Sequence, residues 1–364
     1  MTPPSQPLEF TISPNLSAAL CRFFHSQLFI TPPTPIHSFT HQTIIITGAT
    51  TGLGLEAARH FYRLNCARLI LAVRTVPKGQ SAKEDIVRSV KTRSDPASID
   101  VWPLDLSSTA STIAFADRVK SELSRVDVLV ENAGINTGIF ALVEGYERTV
   151  QVNVLNTCLL ALLLLPKLEE TKKMKKMKKK KKIVLDSRPH LVVVSSEAHR
   201  LTSFPEINAP DIYARMNERE VFGQQRRYQA TKLIEILFIR ELVTRLNQNT
   251  KTETATPTPP VIINLVNPGL CSTALGTDGK TSPLLVRLIR RFIDRTTEVG
   301  ARTFVLAASA PASSHGELQS DGVNQNVESW IYEDVGRRAQ EKVFEQTIGI
   351  LEERSPGIAW GVTR

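Results

Sequence analysis

Cysteine is sparse in this chain. Cys21, Cys66, Cys158 and Cys271 are the only four in 364 residues, and they stand far apart. No CxxC or Cys/His spacing joins them, so the sequence offers neither a zinc site nor a disulfide framework, and no metal is expected. Their isolation suits a reducing compartment. Long apolar runs are missing as well. The most apolar stretch, Val154 to Leu165, carries Asn156 and stops at Pro166, short of the roughly 18 residues that signal a transmembrane span. It reads as a buried helix. No opening segment combines a basic stretch, an apolar stretch and a small-residue cleavage site, so the expectation is a cytoplasmic protein.

A basic face is also lacking, despite a formal charge of +9. The stretch from Lys172 to Lys182 holds nine Lys and two Met, and without it 36 basic residues balance 36 acidic ones. The excess is one local run, so no nucleic-acid partner is expected. No aromatic residues interleave the run for base stacking. It reads as a solvated insert over residues 170–189, with peripheral contact to an anionic membrane surface as the competing reading.

What is present is a regular alternation. Residues 1–40 form an N-terminal extension bracketed by Pro3, Pro4 and Pro7 and by Pro32, Pro33 and Pro35, with a short helix expected between them. From Thr43 the chain alternates strand and helix signals. Thr43–Thr47 is a continuous β-branched apolar run, the pattern of a strand buried on both faces of a parallel sheet. Strand-like runs recur at 69–73, 99–104, 127–130, 191–194 and 261–266. Helix-like segments lie at 53–65, 79–93, 107–124, 144–165 and 228–247, with later ones at 284–295 and 335–353. The implied fold class is α/β, a single-domain Rossmann-type doubly wound parallel sheet over residues 41–354, followed by a tail at 355–364.

The first strand runs into Thr47-Gly48-Ala49-Thr50-Thr51-Gly52-Leu53-Gly54, and a helix follows. Glycines suit such a turn because a missing Cβ lets backbone N–H groups approach a pyrophosphate at the helix N-terminus. The spacing is GxxxGxG. Further along, Asp105 stands in a Leu-Asp-Leu step, Asn132-Ala133-Gly134 follows a strand, and Ser195-Ser196 follows another. Tyr228 and Lys232 are four apart in a helical segment, and Asn267-Pro268-Gly269 ends the last clear strand, with Thr273 just beyond.

In these elements, and in their order, the sequence resembles the short-chain dehydrogenase/reductase family over residues 43–310. The resemblance implies that Gly48, Gly52, Leu53 and Gly54 cradle a dinucleotide and that Asp105 meets its adenine. It implies that Asn132 belongs to the Asn-Asn-Ala-Gly element, in which Glu131 here replaces the first Asn. By the same resemblance Pro268, Gly269 and Thr273 approach the nicotinamide, Tyr228 and Lys232 form the YxxxK pair that also holds the cofactor, and Asn153 holds a proton-relay water. Asn153, Ser196, Tyr228 and Lys232 would then be the catalytic tetrad, Ser196 being preferred to Ser195 by the family's spacing.

The residue chemistry agrees. Tyr228 and Lys232 share one helix face a turn apart, and a nearby ammonium favours the phenolate form of a group that otherwise titrates near about 10. Ser196 is placed to hydrogen-bond a substrate oxygen as charge develops on it. At the end of the second strand, where relatives that choose NAD carry an acid, this chain has Arg74, with Lys78 four residues on. A guanidinium forks onto a 2′-phosphate, which favours NADP(H).

The expected activity is therefore NADPH-dependent interconversion of a ketone or aldehyde and an alcohol. The length and the segment between Ser196 and Tyr228 resemble the retinol-dehydrogenase-like branch. The Phe29-Ile30-Thr31-Pro32-Pro33 and Pro356-Gly357-Ile358 stretches resemble reductases of fungal secondary metabolism, so the expected substrate is a small hydrophobic polyketide or terpenoid intermediate. Its pocket is expected between segments 199–226 and 270–296. A homo-oligomer is compatible with this reading. A non-catalytic NADP(H)-binding sensor or scaffold is the alternative.

Overall fold

The structure is a computed structural model that describes residues 9–179, 188–249, 259–278 and 290–359. Strands β1 (Thr43–Thr47), β2 (Arg68–Val73), β3 (Ile99–Pro103) and β4 (Val128–Glu131) come first. A two-stranded hairpin of β5 (Leu142–Val143) and β6 (Tyr146–Glu147) follows. Strands β7 (His190–Val194), β8 (Ile262–Asn267), β9 (Leu318–Ser320) and β10 (Val323–Gln325) complete an eight-stranded sheet of order β10-β9-β8-β7-β4-β1-β2-β3. Every neighbouring pair is parallel except β9 with β10. The order turns back at β1, flanked by β2 and β4, which is where a doubly wound sheet opens a crevice.

The apolar strands bury both faces because side chains alternate. Ile45 of β1 faces a core built with Leu155, Leu159, Leu233 and Phe344, while Ile44 and Ile46 face one built with Ala57, Phe61 and Phe304. Helices α4 (Thr109–Glu122), α6 (Asn156–Lys179), α8 (Gln224–Asn249) and α10 (Asp334–Arg354) cover the first face. Helices α2 (Gly52–Arg63), α3 (Val76–Ser89) and α9 (Thr297–Ala307) cover the second. The run from Val154 to Leu165 is buried, so its lack of an exposed face reflects neighbours on all sides. It enters α6 through one turn of α5 (Arg148–Val150) and a π turn at Gln151–Leu155, and the short α7 (Ile212–Met216) precedes α8.

The sequence reading of the core strands agrees with these ranges to within a residue or two. Strands β9 and β10 and helix α9 had no clear signal, being short or bounded by small residues. Of the Lys-rich insert, residues up to Lys179 continue α6, and 180–187 lie outside the described residues. The helix expected over 284–295 lies mostly outside them too; residues 290–293 are helical.

The N-terminal extension is packed onto this body. Its helix α1 (Leu16–Phe29) starts at Asn15, whose side chain accepts from Ala18 N–H. Phe10 is buried in the first core, and Asn208 bonds both its N–H and its carbonyl. Gln27 is buried and donates to the carbonyls of Leu270 and Ile293 at 2.7 Å. Arg295 draws these parts together. Its guanidinium lies 2.7 Å from Asp321 and donates to the carbonyls of Ser26, Ile30 and Pro268.

Arg295 and Asp321 are both buried, so removing one leaves the other charge uncompensated. Arg295→Leu should lower stability by about 3–5 kcal/mol, read by urea unfolding. A loss below about 1 kcal/mol would show that this ion pair behaves as an exposed one.

Candidate active site at the carboxyl ends of the strands

The turn after β1 is set by contact with β4. Asn132 donates from its amide to the carbonyls of Thr47 at 2.8 Å and Gly48 at 3.3 Å, and Thr47 Oγ1 accepts from the N–H groups of Asn132 and Ala133. Gly48 and Gly52 have positive φ, +69° and +60°, where a Cβ is disfavoured. A Cβ on Gly54 would fall 2.5 Å from both Asn132 Nδ2 and the Gly48 carbonyl. Asn132 therefore holds the turn from behind.

Helix α2 starts at this turn, and its N-cap Thr51 makes no side-chain capping bond. Its first N–H groups are thus left to a ligand or solvent, as an anion site at a helix N-terminus requires. Leu53 is in the first turn of α2, and Thr273 lies opposite, its methyl 3.6 Å from where a Gly52 Cβ would be. These residues fit a dinucleotide: glycine backbone on one side and Thr273 on the other leave a cleft that side chains at the glycines would narrow.

Arg74 and Lys78 are exposed at the end of β2 and in the first turn of α3. That turn has no acidic residue. Two cations at the positive end of a helix are in place for an anion. Asp105 follows β3, and its carboxylate accepts from Ser107 N–H at 2.9 Å and Ser107 Oγ at 2.7 Å. Pro268 and Gly269 follow β8. Gly269 has φ +78° and backs onto Arg295 and Gln27, so the extension supports this loop.

Tyr228 and Lys232 lie on α8, beside the end of β7. The Lys232 ammonium is 5.7 Å from the Tyr228 ring centre, is buried, and donates to the Val194 carbonyl at 2.8 Å. The Ser196 hydroxyl is near enough to the Tyr228 phenol to favour its ionised form, while it accepts from Ala198 N–H at 3.1 Å. Ser195 turns the other way, donating to the Lys232 carbonyl at 3.2 Å. Burial pushes the Tyr228 phenol up, and the Lys232 charge and the nearby Ser196 hydroxyl only partly pull it back. Burial pulls the Lys232 ammonium down, but the charges of Glu235 and Tyr228 outweigh it, leaving it raised and charged. Asn153, in the π turn, is buried and clamps Ile135, accepting from its N–H at 2.8 Å and donating to its carbonyl at 2.9 Å. It reaches Thr231 at 3.3 Å, so Asn153 stands one residue behind the Tyr–Lys pair rather than on it.

The flanking segments are braced separately. Arg227, fully buried beside Tyr228, lies between Glu147 at 3.5 Å and Glu206 at 4.0 Å and donates to the Met216 carbonyl at 2.6 Å. Gln224 donates to the Gly276 carbonyl at 3.0 Å, and Gly138 N–H to Asp278 at 2.7 Å. The segments before Tyr228 and after Gly269 therefore meet over the strand ends. His199 is buried beside Ser196, donates to its carbonyl at 2.7 Å, and is pushed down to about 3 by burial, so it is neutral. No cluster of His, Cys, Asp or Glu able to hold a metal occurs among the described residues.

Sequence reasoning passed over Glu235, which accepts from the Lys232 ammonium at 2.8 Å, and gave Glu131 no role. A single acid inside the apolar Leu233-Ile234-Glu235-Ile236-Leu237 run, three residues after a lysine, was the available signal.

With this geometry in view, comparison places residues 42–176 within the short chain dehydrogenase family model. The chain is 38% identical over 340 residues to the short chain dehydrogenase/reductase dmxR8 of Cryptosporiopsis sp., covering 92% of this chain and 98% of the relative. It is 42% identical over 295 residues to the short chain dehydrogenase atnD of Emericella nidulans, covering 80% and 87%. Among solved structures it resembles an uncharacterised protein of Mycobacterium paratuberculosis, with TM-score 0.58, 26% identity and coverage of 86% and 96%. It shares its fold with a short chain dehydrogenase of Escherichia coli CFT073 solved with NADPH, with TM-score 0.53, 19% identity and coverage of 79% and 99%.

Gly54→Ala should weaken dinucleotide binding at least about tenfold, equivalent to about 1.4 kcal/mol, because the turn must open to admit the methyl. Fluorescence titration with NADPH checks this. Unchanged affinity in the folded variant would show that the turn does not carry the pyrophosphate.

Proposed function

The chain belongs to the short-chain dehydrogenase/reductase family, and from that premise we propose that it is an NADPH-dependent reductase. It interconverts a ketone or aldehyde and an alcohol on a small hydrophobic secondary metabolite, of the polyketide or terpenoid kind. The observation that carries the reading is the convergence of the Tyr228 hydroxyl, Ser196 and the buried Lys232 ammonium at the strand ends beside the glycine turn. The fungal relatives support the choice of a secondary-metabolite substrate.

A bound reduced nicotinamide would supply the hydride that adds to the carbonyl carbon. Ser196 and Tyr228 hold the carbonyl oxygen between two hydroxyls. As charge develops on that oxygen, Tyr228 gives up its proton to it, leaving an alcohol and a phenolate. The Lys232 ammonium steadies the phenolate until solvent returns a proton. Asn153 fixes the Ile135 backbone and Thr231 behind the pair and so keeps α8 in register with β4. Glycine-turn N–H groups would take the pyrophosphate, and Arg74 and Lys78 the 2′-phosphate.

Tyr228→Phe keeps the ring and removes the proton, so turnover should fall by at least about 100-fold while NADPH still binds. NADPH oxidation over a panel of apolar ketones and aldehydes checks this, and near-normal turnover would remove Tyr228 as the acid. A protein that binds NADPH but turns over no member of the panel would instead fit a sensor or scaffold.

Cofactor preference tests separately. A charge-assisted contact is worth about 1.5–3 kcal/mol, so two imperfect ones, from Arg74 and Lys78, should let NADPH outcompete NADH by roughly 10- to 1000-fold. Arg74→Asp should erase most of that advantage, and added salt should shrink it, since Arg74 and Lys78 are exposed. Equal kcat/KM for the two cofactors in the unmutated protein would refute the assignment.

A further inference from the structure

Two glutamates lie beneath the Tyr–Lys pair, and neither is used in the chemistry above. Glu235, three residues past Lys232 on α8, is 2% exposed, and its Oε1 accepts from the Lys232 ammonium at 2.8 Å. Glu131 ends β4 and is 3% exposed. Neither oxygen of Glu131 has a hydrogen-bond partner among the described residues, and Glu235 Oε2 has none either. The two carboxyls act on each other across the space between β4, α6 and α8.

One cation cannot offset two buried carboxylates. Two like charges in a low-dielectric site push one proton back on. Glu235 has the ammonium against it, and Glu131 has no cation, so the proton belongs on Glu131. Burial, and then the Glu235 charge, raise the Glu131 carboxyl well above the usual carboxylate range.

The other titratable groups facing this space leave that balance alone. Cys158 of α6 is raised well above the thiol range, first of all by burial, so it is neutral. Tyr213 is raised by burial beyond the range in which it ionises. Arg227 is directed at Glu147 and Glu206. The end of β7 contributes only the hydroxyls of Ser195 and Ser196.

We propose that Glu235 is a positioning residue that anchors and counters the Lys232 ammonium, with Glu131 beneath it as a neutral acid, so that Tyr228 is kept as a proton donor and the site is set for carbonyl reduction rather than alcohol oxidation. This rests on the oxidoreductase reading of the site. An unopposed ammonium at Lys232 draws the proton off Tyr228. The Glu235 carboxylate acts the other way, adding to the burial that already holds the phenol protonated.

Ultraviolet titration of the Tyr228 phenolate, taken as the difference from the same protein carrying Tyr228→Phe, reads this without substrate. Glu131→Gln should leave the ionisation where it is, because an amide and a neutral acid carry the same charge. Adding Glu235→Gln to that variant removes the counter-charge when Glu131 can no longer replace it. The ionisation should then move down by about one pH unit or more, and the alkaline limit of reductive turnover should move with it. No movement, or movement upward, overturns the proposal, as does a fall in kcat with an unmoved pH profile, which a merely structural role would give.

Infrared difference spectroscopy on the unmutated protein supplies a reading that survives failure of the double variant to fold. The carboxylic-acid C=O band should be present at neutral pH and vanish in Glu131→Gln; a band absent from both overturns the proton on Glu131. Neither spectroscopic reading depends on turnover. An unmoved Tyr228 ionisation in an active enzyme removes this inference alone, and absence of turnover with every carbonyl removes the oxidoreductase reading alone.

Discussion

Asn132 reaches from β4 to the carbonyls of Thr47 and Gly48, and the site depends on that crossing. It ties the end of β4 to the end of β1 at the switch in strand order. It also takes the space a side chain at Gly54 would need. The Thr47 and Gly48 carbonyls are thus satisfied from within the fold, and the first N–H groups of α2 stay without a side-chain cap. Backbone geometry that satisfies its own acceptors leaves its donors for an anion.

The same strand ends position the reacting groups. Residues 132 to 134 follow β4 and residues 195 and 196 follow β7, and these strands pair in register, with Glu131 beside Val193. Helix α8 crosses above them, with Lys232 bonded to the Val194 carbonyl. Any shift of α8 along the sheet would break that bond and move Tyr228 away from Ser196. The buried Arg227, braced by Glu147 and Glu206, resists such a shift from the neighbouring turn of the helix. Tyr228 is thus held by polar contacts in a region where the rest of the packing is apolar.

These features differ in how legible they were. The strands β1, β2, β4, β7 and β8 are continuous apolar runs with abrupt polar ends, so their existence and order follow from periodicity alone. The glycine turn, the serine pair and the Tyr–Lys pair stand at those ends, which is why they could be assigned chemistry before any coordinates. Strands β9 and β10 have three residues each, too few for alternation to register. The packing of residues 10–39 was illegible for another reason. Gln27 and Arg295 are polar residues that become buried by bonding carbonyls 243 and 269 positions away, and no local pattern encodes such a pair. Glu131 was visible as a departure from the family's pattern, but its meaning needed the knowledge that Glu235 faces the same space.

The two ends of the site place opposite demands on charge. Arg74 and Lys78 stand in solvent, where two unit charges 4 Å apart attract by only about 1 kcal/mol. They favour only a ligand that brings several negative charges close, and they stand there without cost to the fold because water solvates them when no ligand is present. Lys232 has no such reserve. Buried under α8, its ammonium must be met by a fixed counter-charge, and Glu235 supplies it at 2.8 Å. A second carboxyl at Glu131 would overshoot that balance unless it kept its proton. A neutral Glu131 adds no charge of its own, and Glu235 alone counters the ammonium. In the function proposed above, charge at the exposed end selects the dinucleotide, and charge at the buried end sets the state of the proton donor.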